Sequence, residues 1–452
     1  MEEFRVLSPT AILGYGFPLE SFARGMEFKP HVIAVDAGST DPGPYYLGAG
    51  VSFTDRQAVK RDLEIMLKAG LEQRIPVIVG SAGGAGADPH LEWCLEIVRE
   101  IAREAKLHFR MASISAELEK SMLEEALADG RISVLEPGKP LTREELEASV
   151  HVVAQMGMEP FIRALEAGAD VIIAGRSYDP AVFAALPVSK GFDPGLALHM
   201  GKILECAAIA ASPGSGSDCM LGILKEAHFC VEPLHPARKC TTSSVAAHTL
   251  YEKTNPYLLP GPGGMLDLKD CRFFQETEYR VRVEGSRFIP APKYTLKLEG
   301  AKQVGYRTLS IAGARDPVFI EQLDMIIAGV KERLADNFKD VAPSRYQLLF
   351  HIYGRDGVMG ELEPTPQITS HEVGIIMEVV AETQELADTI LSFARSTMLH
   401  YGYPGRISTA GNLAFPYSPS DLKTGPVYQF SVHHLLEVDD PVALFPITWE
   451  CI

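Results

Sequence analysis

The chain reads Gly168-Ala-Asp-Val-Ile-Ile-Ala-Gly-Arg-Ser-Tyr-Asp-Pro180, a short apolar strand followed at once by a loop that carries Arg176 and Asp179. In open parallel sheets, ligands bind in the crevice beyond the carboxyl ends of the strands, so these two charged residues are well placed for chemistry. The same pattern of strand and polar loop occurs twice earlier, at 32–41 and 77–86. We therefore expect three such loops to line one crevice, although a surface arginine and a helix-capping aspartate would leave the same pattern.

Composition restricts the class of protein. With 452 residues, of which 46% are hydrophobic and 22% charged, the chain is typical of a globular protein of two or three domains. The formal net charge of −17 argues against nucleic acid and anionic membranes as main partners. The amino-terminal residues do not resemble a signal peptide, and the seven cysteines form no Cys-x-x-Cys pair. We expect a cytosolic protein with reduced thiols and no membrane segment.

Over the first 185 residues, apolar runs alternate with longer amphipathic segments, a pattern typical of parallel strands joined by crossover helices. The predicted strands are 30–36, 75–80, 107–112, 132–135, 151–155 and 169–175. The predicted helices are 54–71, 88–105, 115–128, 142–149 and 158–167. The pattern predicts an α/β fold with a doubly wound, mostly parallel sheet, and a partial barrel is the alternative.

The rhythm changes after residue 210, where alternating apolar and polar residues favour an antiparallel sheet. The predicted strands are 274–285, 293–299, 305–311, 346–353, 372–380 and 427–436. The predicted helices are 317–336 and 383–400. We expect an α/β domain over residues 1–210 that holds the crevice and an α+β domain over 211–452, with the boundary between 185 and 260.

Two further loops of the first half carry candidate binding residues. Ser81, Gly83 and Gly84 lie in a glycine-rich segment between a strand and a helix, where backbone N–H groups can bind an anion. The alternative is a tight turn that requires glycine. Asp36 ends the strand before the other loop and could act as an acid or base or bind a divalent metal, unless it is a turn residue.

Other candidates lie further along the chain. On a predicted helix, His199 precedes three residues that can carry chemistry, namely Lys202, Glu205 and Cys206. His248 lies four residues before Glu252, close enough to share a helix face. Either histidine could carry protons, although a buried structural histidine is the simpler alternative. HExxH is absent.

Near the carboxyl terminus, Arg406 and Asn412 lie in a long loop rich in proline and aromatic residues. They could hold a carboxylate or an amide, and the alternative is a clasp between domains.

Several of these segments together resemble the acyclic terpene utilisation A family. The segments are 174–181, 199–206, 244–252, 262–267, 297–300 with 305–307, and 412–416. The resemblance extends over nearly the whole chain and implies a cytosolic catabolic protein of pathways that degrade branched carboxylic acids and their thioesters, often with a small companion protein or domain. We therefore expect an oligomer, either of this chain alone or with a companion subunit.

These observations predict a lyase or isomerase that hydrates, dehydrates or shifts a proton on a small branched hydroxy or unsaturated acid or its CoA thioester. Asp36 or Asp179 would be the acid–base or metal-binding carboxylate, and Arg176 would anchor the substrate. The sequence identifies no cofactor, and a divalent metal is compatible with the carboxylates. The alternatives are a noncatalytic or regulatory subunit that binds a small acid or a companion protein, and a nucleotide-dependent ligase or kinase.

Overall fold

A computed structural model describes residues 2–251, 254–365, 367–407 and 410–452. The strands are β1 (Phe4–Ser8), β2 (Val32–Asp36), β3 (Val77–Gly80), β4 (Arg110–Ile114), β5 (Ile132–Val134), β6 (Ser149–Ala154), β7 (Val171–Ala174), β8 (Met220–Leu224), β9 (His228–Pro233), β10 (Leu258–Gly261), β11 (Gly264–Asp267), β12 (Arg272–Gln275), β13 (Val281–Glu284), β14 (Arg287–Pro290), β15 (Tyr294–Ala314), β16 (Tyr346–Tyr353), β17 (Val373–Ala381), β18 (Asp421–Val438) and β19 (Ile447–Cys451).

The helices are α1 (Leu19–Glu27), α2 (Pro44–Ala49), α3 (Arg56–Gln73), α4 (Asp88–Ala105), α5 (Lys120–Ala128), α6 (Arg143–Ala148), α7 (Glu159–Glu166), α8 (Ala181–Ser189), α9 (Pro194–Leu204), α10 (Thr242–Leu250), α11 (Pro317–Glu321), α12 (Leu323–Asn337) and α13 (Gln384–Leu399). None of the helices in the described part of the chain combines the length and apolar composition that crossing a bilayer requires.

The chain forms two compact units. The first contains the residues up to Lys302 together with Phe430–Ile452, and the second contains Gln303–Gln429. The long strands β15 and β18 contribute residues to both. Residue 210 lies within the first unit, and the predicted domain boundary there stays a prediction.

The main sheet of the first unit has ten strands in the order β12-β13-β9-β8-β1-β2-β3-β7-β4-β19. The five neighbouring strands β1, β2, β3, β7 and β4 run parallel to one another. On either side of them, β8 pairs antiparallel with β1, and β19 pairs antiparallel with β4. The strand order has two ends, so the sheet does not close into a complete barrel among the described residues. The predicted α/β fold with a mostly parallel sheet, followed by antiparallel sheets, is confirmed.

The central strands form because their sequences suit burial on both faces. Val-Ile-Ala-Val-Asp in β2, Val-Ile-Val-Gly in β3 and Val-Ile-Ile-Ala in β7 are buried throughout. Such continuous apolar runs rich in β-branched residues are typical of parallel strands covered on both faces by helices. The run of β7 ends where Gly175 and Arg176 begin the loop.

Two predicted strands of the first half lie outside the parallel sheet. The short β5 pairs antiparallel with β18, and β6 pairs antiparallel with β15. Both pairings involve residues far along the chain, so the local alternation of strands and helices could not reveal them. The two predicted strands 293–299 and 305–311 are parts of one strand, β15, and β13 joins the main sheet beside β9.

The second unit contains β16, β17 and part of β15 in one antiparallel sheet. Alternate residues of β17 are buried, which is the pattern expected for a strand with one face on a core. That core includes Ile375, Met377 and Val379 of β17 and residues of α12 and α13.

Candidate functional site

Three loops of the first unit meet at the carboxyl edge of the parallel strands. Asp36 is the last residue of β2, Ser81 follows β3, and Arg176 comes two residues after β7. The Arg176 Nη1 donates a hydrogen bond to Ser81 Oγ at 3.1 Å, and its backbone N–H donates to the Gly86 carbonyl at 3.0 Å. The neighbouring strand order β2-β3-β7 therefore brings the three sequence-predicted loops together, as expected for the ends of parallel strands.

Arg176 forms the centre of a buried ion-pair network. Its Nε donates to Glu299 Oε2 at 2.6 Å, and its Nη1 donates to Asp179 Oδ1 at 2.8 Å. The side chains of Arg176 and Glu299 are 3% and 2% exposed, whereas that of Asp179 is 26% exposed. The guanidinium is thus already held by two carboxylates, so a substrate acid at this position would share it with them.

Glu299 completes the network from β15. Its Oε1 accepts hydrogen bonds from Thr40 Oγ1 at 2.9 Å and from Lys297 Nζ at 2.8 Å. Burial alone would raise the pKa of the Glu299 carboxyl, but the charges of Arg176 and Lys297 outweigh it and lower this pKa to about 2. Burial likewise opposes the charge of Arg176, whose pKa is nevertheless raised by Glu299 and Asp179. Glu299 is therefore ionised, and it fixes the position of Arg176.

Glu299 was not among the site residues predicted from the sequence. It lies in the segment 297–300, which was noted only for the family resemblance. The feature of the sequence that could have identified Glu299 is the period-two pattern of its strand. This pattern puts Lys297 and Glu299 on one face and leaves a carboxylate on a buried side.

Asp36 is the most unusual group of the cluster. Its side chain is buried, its Oδ2 accepts a hydrogen bond from the Gly38 N–H at 3.0 Å, and its buried Oδ1 has no hydrogen-bond partner among the described residues. Burial raises the pKa of Asp36 well above its ordinary value, the charge of Asp179 raises it further, and Arg176 opposes both. The site therefore disfavours the ionised form of Asp36, and its role as an acid or base stays a prediction.

The end of α9 brings a second ion pair to the same edge of the sheet. Lys202 Nζ lies 2.5 Å from Glu205 Oε1, and the two side chains are 3% and 8% exposed. Ser8, the last residue of β1, donates its hydroxyl hydrogen to the Leu204 carbonyl at 2.7 Å, which holds the helix end against the strand ends. The charge of Glu205 also raises the pKa of Asp36, so α9 contributes to the electrostatics of the site.

The glycine-rich loop is buried and closely packed. Gly83 and Gly84 have φ angles of +64° and +94°, which non-glycine residues rarely adopt. A Cβ atom at Gly83 would lie 2.8 Å from the His90 Cβ, and one at Gly84 would lie 2.5 Å from the Phe53 ring. These contacts are those of a tight turn that requires glycine. The binding of an anion by Ser81, Gly83 and Gly84 stays a prediction.

The two predicted proton carriers, His199 and His248, lie on α9 and α10 of the first unit. The ring nitrogens of His199 lie 2.7 Å from Ser286 Oγ and 3.1 Å from Thr249 Oγ1, and burial, with the charge of Lys202, lowers the pKa of His199 to about 3. His248 is buried on α10 and packs against the Tyr251 ring at 5.3 Å. Glu252, which the sequence analysis paired with His248, lies outside the described residues. The proton-carrying roles stay predictions.

Arg406 and Asn412 belong to the second unit. Arg406 Nη1 donates to the carbonyls of His400 and Tyr401, and Asn412 Nδ2 donates to those of Met398 and Tyr401 at 3.1 and 2.9 Å. These side chains satisfy carbonyl groups at the end of α13, which is a common role of polar residues after a helix. Their role in ligand binding stays a prediction.

A pocket of about 290 Å³ in the first unit is lined in part by Tyr178, which precedes Asp179 in the chain, whereas Arg176, Asp179 and Glu299 do not line it. Leu198 and Phe288 contribute apolar surface, and Glu159 Oε2 accepts a hydrogen bond from the Tyr294 hydroxyl at 2.7 Å. The pocket is thus mainly apolar with a few polar groups, as is usual for small-molecule sites.

The carboxylates of the site do not form a compact set of metal ligands. Within the described ranges, neither Asp36 nor Asp179 belongs to a group of three or more ligand atoms of His, Cys, Asp or Glu that all lie within 4.8 Å of one another. The acid–base and metal-binding roles of Asp36 and Asp179 both stay predictions.

Comparison with known proteins gives one match. The family described as "Acyclic terpene utilisation family protein AtuA" matches residues 55–216 and 227–417. The matched ranges include Arg176, Asp179, Glu205 and Glu299, whereas Asp36 lies before them. No curated protein and no solved structure matches the chain.

Proposed function

Because the chain belongs to the acyclic terpene utilisation family AtuA, we propose that it is a catabolic enzyme that transfers protons on a small branched hydroxy or unsaturated carboxylic acid or its CoA thioester. The family description is the basis for a metabolic role in acyclic terpene utilisation. The reaction class, hydration, dehydration or isomerisation, is our inference from the site.

The observation that carries the proposal is the buried carboxyl group of Asp36. A carboxyl group with a raised pKa can hold a proton near neutral pH and deliver it to a reacting atom, and such groups contribute about 10²–10⁴-fold to rates. Its buried Oδ1 has no hydrogen-bond partner among the described residues, and in this proposal the substrate hydroxyl group supplies one. Arg176 and Asp179 lie beside it and provide the opposite charge and a second carboxylate.

These groups suffice for a dehydration. Asp36 would donate its proton to the leaving hydroxyl group, which departs as water, while Asp179 would accept the α-proton. The electron pair of the broken C–H bond forms the C=C bond as the C–O bond breaks. Arg176 would offset the negative charge that develops on the carbonyl oxygen of the acid or thioester. A proton then returns from Asp179 to Asp36 through solvent, and hydration is the reverse.

The pocket that Tyr178, Leu198 and Phe288 line suits the apolar part of such a substrate. Leu198 and Phe288 offer apolar contacts, and Tyr178 links the pocket wall to Asp179 in the chain. His199 has no role in this scheme, because its two ring nitrogens are engaged by hydroxyl groups.

The test is turnover of a panel of hydroxy and unsaturated acids and their CoA thioesters by the purified full chain, with and without divalent metals. Exchange of the α-hydrogen in deuterated water detects the proton transfer directly. We expect Asp36→Asn to lower the rate by at least about 100-fold, and Asp41→Asn, an exposed carboxylate in the same loop, to leave it unchanged. A folded Asp36→Asn variant with full turnover would refute the role of Asp36.

A second candidate function is a noncatalytic subunit that binds a small acid or a companion protein. The observation that favours it is the saturation of Arg176 by Glu299 and Asp179, which is typical of a structural ion pair. Binding of an acid without turnover or α-hydrogen exchange, with metals and companion present, would support this function over catalysis.

A further inference from the structure

A histidine, a cysteine and a glutamate meet at the opposite end of the main sheet. His228 and Cys230 are two residues apart on β9, so their side chains lie on the same face. The register pairs Phe4, at the start of β1, with Leu224, and Leu224 with Phe229. His228 therefore lies near the amino ends of the parallel strands, whereas the cluster around Asp36 lies at their carboxyl ends.

The third group, Glu276, comes from the turn between β12 and β13. Strand β13 pairs with β9, and β12 pairs with β13, which brings the turn to the side chains of β9. Cys230 Sγ donates a hydrogen bond to Glu276 Oε2 at 3.3 Å. The ligand atoms of His228, Cys230 and Glu276 all lie within 4.8 Å of one another, and no other group of three or more such atoms satisfies this limit within the described residues.

This donor set matches a particular class of metal ion. One imidazole nitrogen, one sulfur and one carboxylate oxygen are the ligand types of Zn²⁺, and bonds of about 2.0–2.3 Å place the ligand atoms of a tetrahedral site roughly 3–4 Å apart. Small side-chain rotations therefore bring the three groups to bonding positions. Cys230 is 1% exposed and supplies a thiol shielded from solvent, whereas Glu276 is exposed and leaves a path for the ion.

The charges around the cluster have both signs. Those that act on His228 come from Lys225, Arg282, Glu276 and Glu284. Arg280 approaches Glu276 Oε2 at 3.6 Å but also binds Glu232 Oε2 at 2.8 Å, so it keeps a carboxylate partner if the metal takes Glu276. On binding, Cys230 releases its thiol proton to solvent, and the thiolate and the carboxylate balance the two charges of the ion.

We propose that His228, Cys230 and Glu276 bind one Zn²⁺ ion, with water as the fourth ligand, and that the ion ties β9 to the turn between β12 and β13. The site is independent of the proposed catalytic function, because it uses other residues at the other end of the sheet.

The test is metal binding by the full chain after treatment with a chelator. Zn²⁺ is titrated in competition with a chelating dye, and Co²⁺ is titrated to detect the charge-transfer absorption of a thiolate ligand. We expect one equivalent of Zn²⁺ to bind and to raise the unfolding temperature. Cys230→Ser and Glu276→Gln should each weaken binding by at least about tenfold, since even outer partners of metal ligands contribute 10–100-fold, and Cys230→Ser should abolish the Co²⁺ band.

The matched controls are Glu278→Gln and Cys451→Ser, which remove an exposed carboxylate of the same turn and an exposed thiol. Both should bind Zn²⁺ as the wild-type protein does. The proposal is overturned if the wild-type protein binds no Zn²⁺, or if Glu276→Gln, an exposed substitution that preserves folding, binds as tightly as Glu278→Gln.

Discussion

Replacing Glu299 by glutamine should destabilise the first unit strongly. The substitution keeps the size of the side chain but removes the charge that faces Arg176 at 2.6 Å and Lys297 at 2.8 Å. The lowering of the Glu299 pKa from 4.5 to about 2 corresponds to about 3 kcal/mol in favour of the charged form. Loss of one partner of a buried ion pair typically costs about 3–5 kcal/mol. We therefore expect the free energy of unfolding to fall by about 3 kcal/mol near neutral pH.

The effect should depend on pH with a defined sign. A carboxyl group whose pKa is lowered in the folded state contributes stability above its ordinary pKa, and this contribution is lost as the pH falls toward the folded pKa. For Glu299 the window lies between 4.5 and about 2. The difference in stability between the wild-type protein and Glu299→Gln should therefore be constant near neutral pH and shrink as the pH falls through this window.

Urea unfolding followed by tryptophan fluorescence is a suitable assay, because the two tryptophans, Trp93 and Trp449, both lie in the first unit. The control is Glu100→Gln. Lys60 and Arg56 lower the pKa of Glu100 to about 2 as well, but this side chain is 27% exposed, against 2% for Glu299, so solvent screens its ion pairs more. Its loss should cost far less. Equal effects of the two substitutions, or a pH-independent effect of Glu299→Gln, would refute the reasoning.

Two further stability predictions follow from the same site. Asp36→Asn should be at least as stable as the wild-type protein near neutral pH. The raised pKa of Asp36 means that wild-type stability falls as the pH rises above about 4, and the variant does not share this loss. Urea unfolding across a pH series checks this, and a variant less stable at every pH contradicts it. Gly83→Ala should lower the free energy of unfolding by about 1–3 kcal/mol, because a Cβ there meets His90 at a positive φ. The control is Gly130→Ala, where φ is +70° but no atom lies within 4 Å of the added Cβ. Urea unfolding should show a smaller loss for Gly130→Ala, and equal losses would contradict the role of the contact with His90.

Much of the first unit was predictable because its signals are local. The apolar runs of β2, β3 and β7 each lie within a few residues, and polar residues follow them directly. Parallel strands place their carboxyl ends at one edge, so the proximity of Asp36, Ser81 and Arg176 could be inferred before their contacts were known.

Other features depend on distant parts of the chain. Glu299 bonds to Thr40 and Arg176 across 259 and 123 residues, and no local pattern reports such contacts. The burial of Lys202 and Glu205 results from the packing of α9 against elements remote in the chain, among them β8 and β9, although their helix itself was predicted. The pairing of β6 with β15 could not be seen for the same reason.

The amino-acid sequence by itself therefore determined the central parallel strands β2, β3 and β7, the polar loops at their ends and the family of the chain, because each of these depends on residues that are neighbours in the chain. The first parallel strand, β1, was not predicted. Only the tertiary structure decided the protonation preference of Asp36 and the commitment of Arg176 to Glu299. The physical reason is that a pKa depends on burial and on charges brought close in space, and residues remote in the chain supply both.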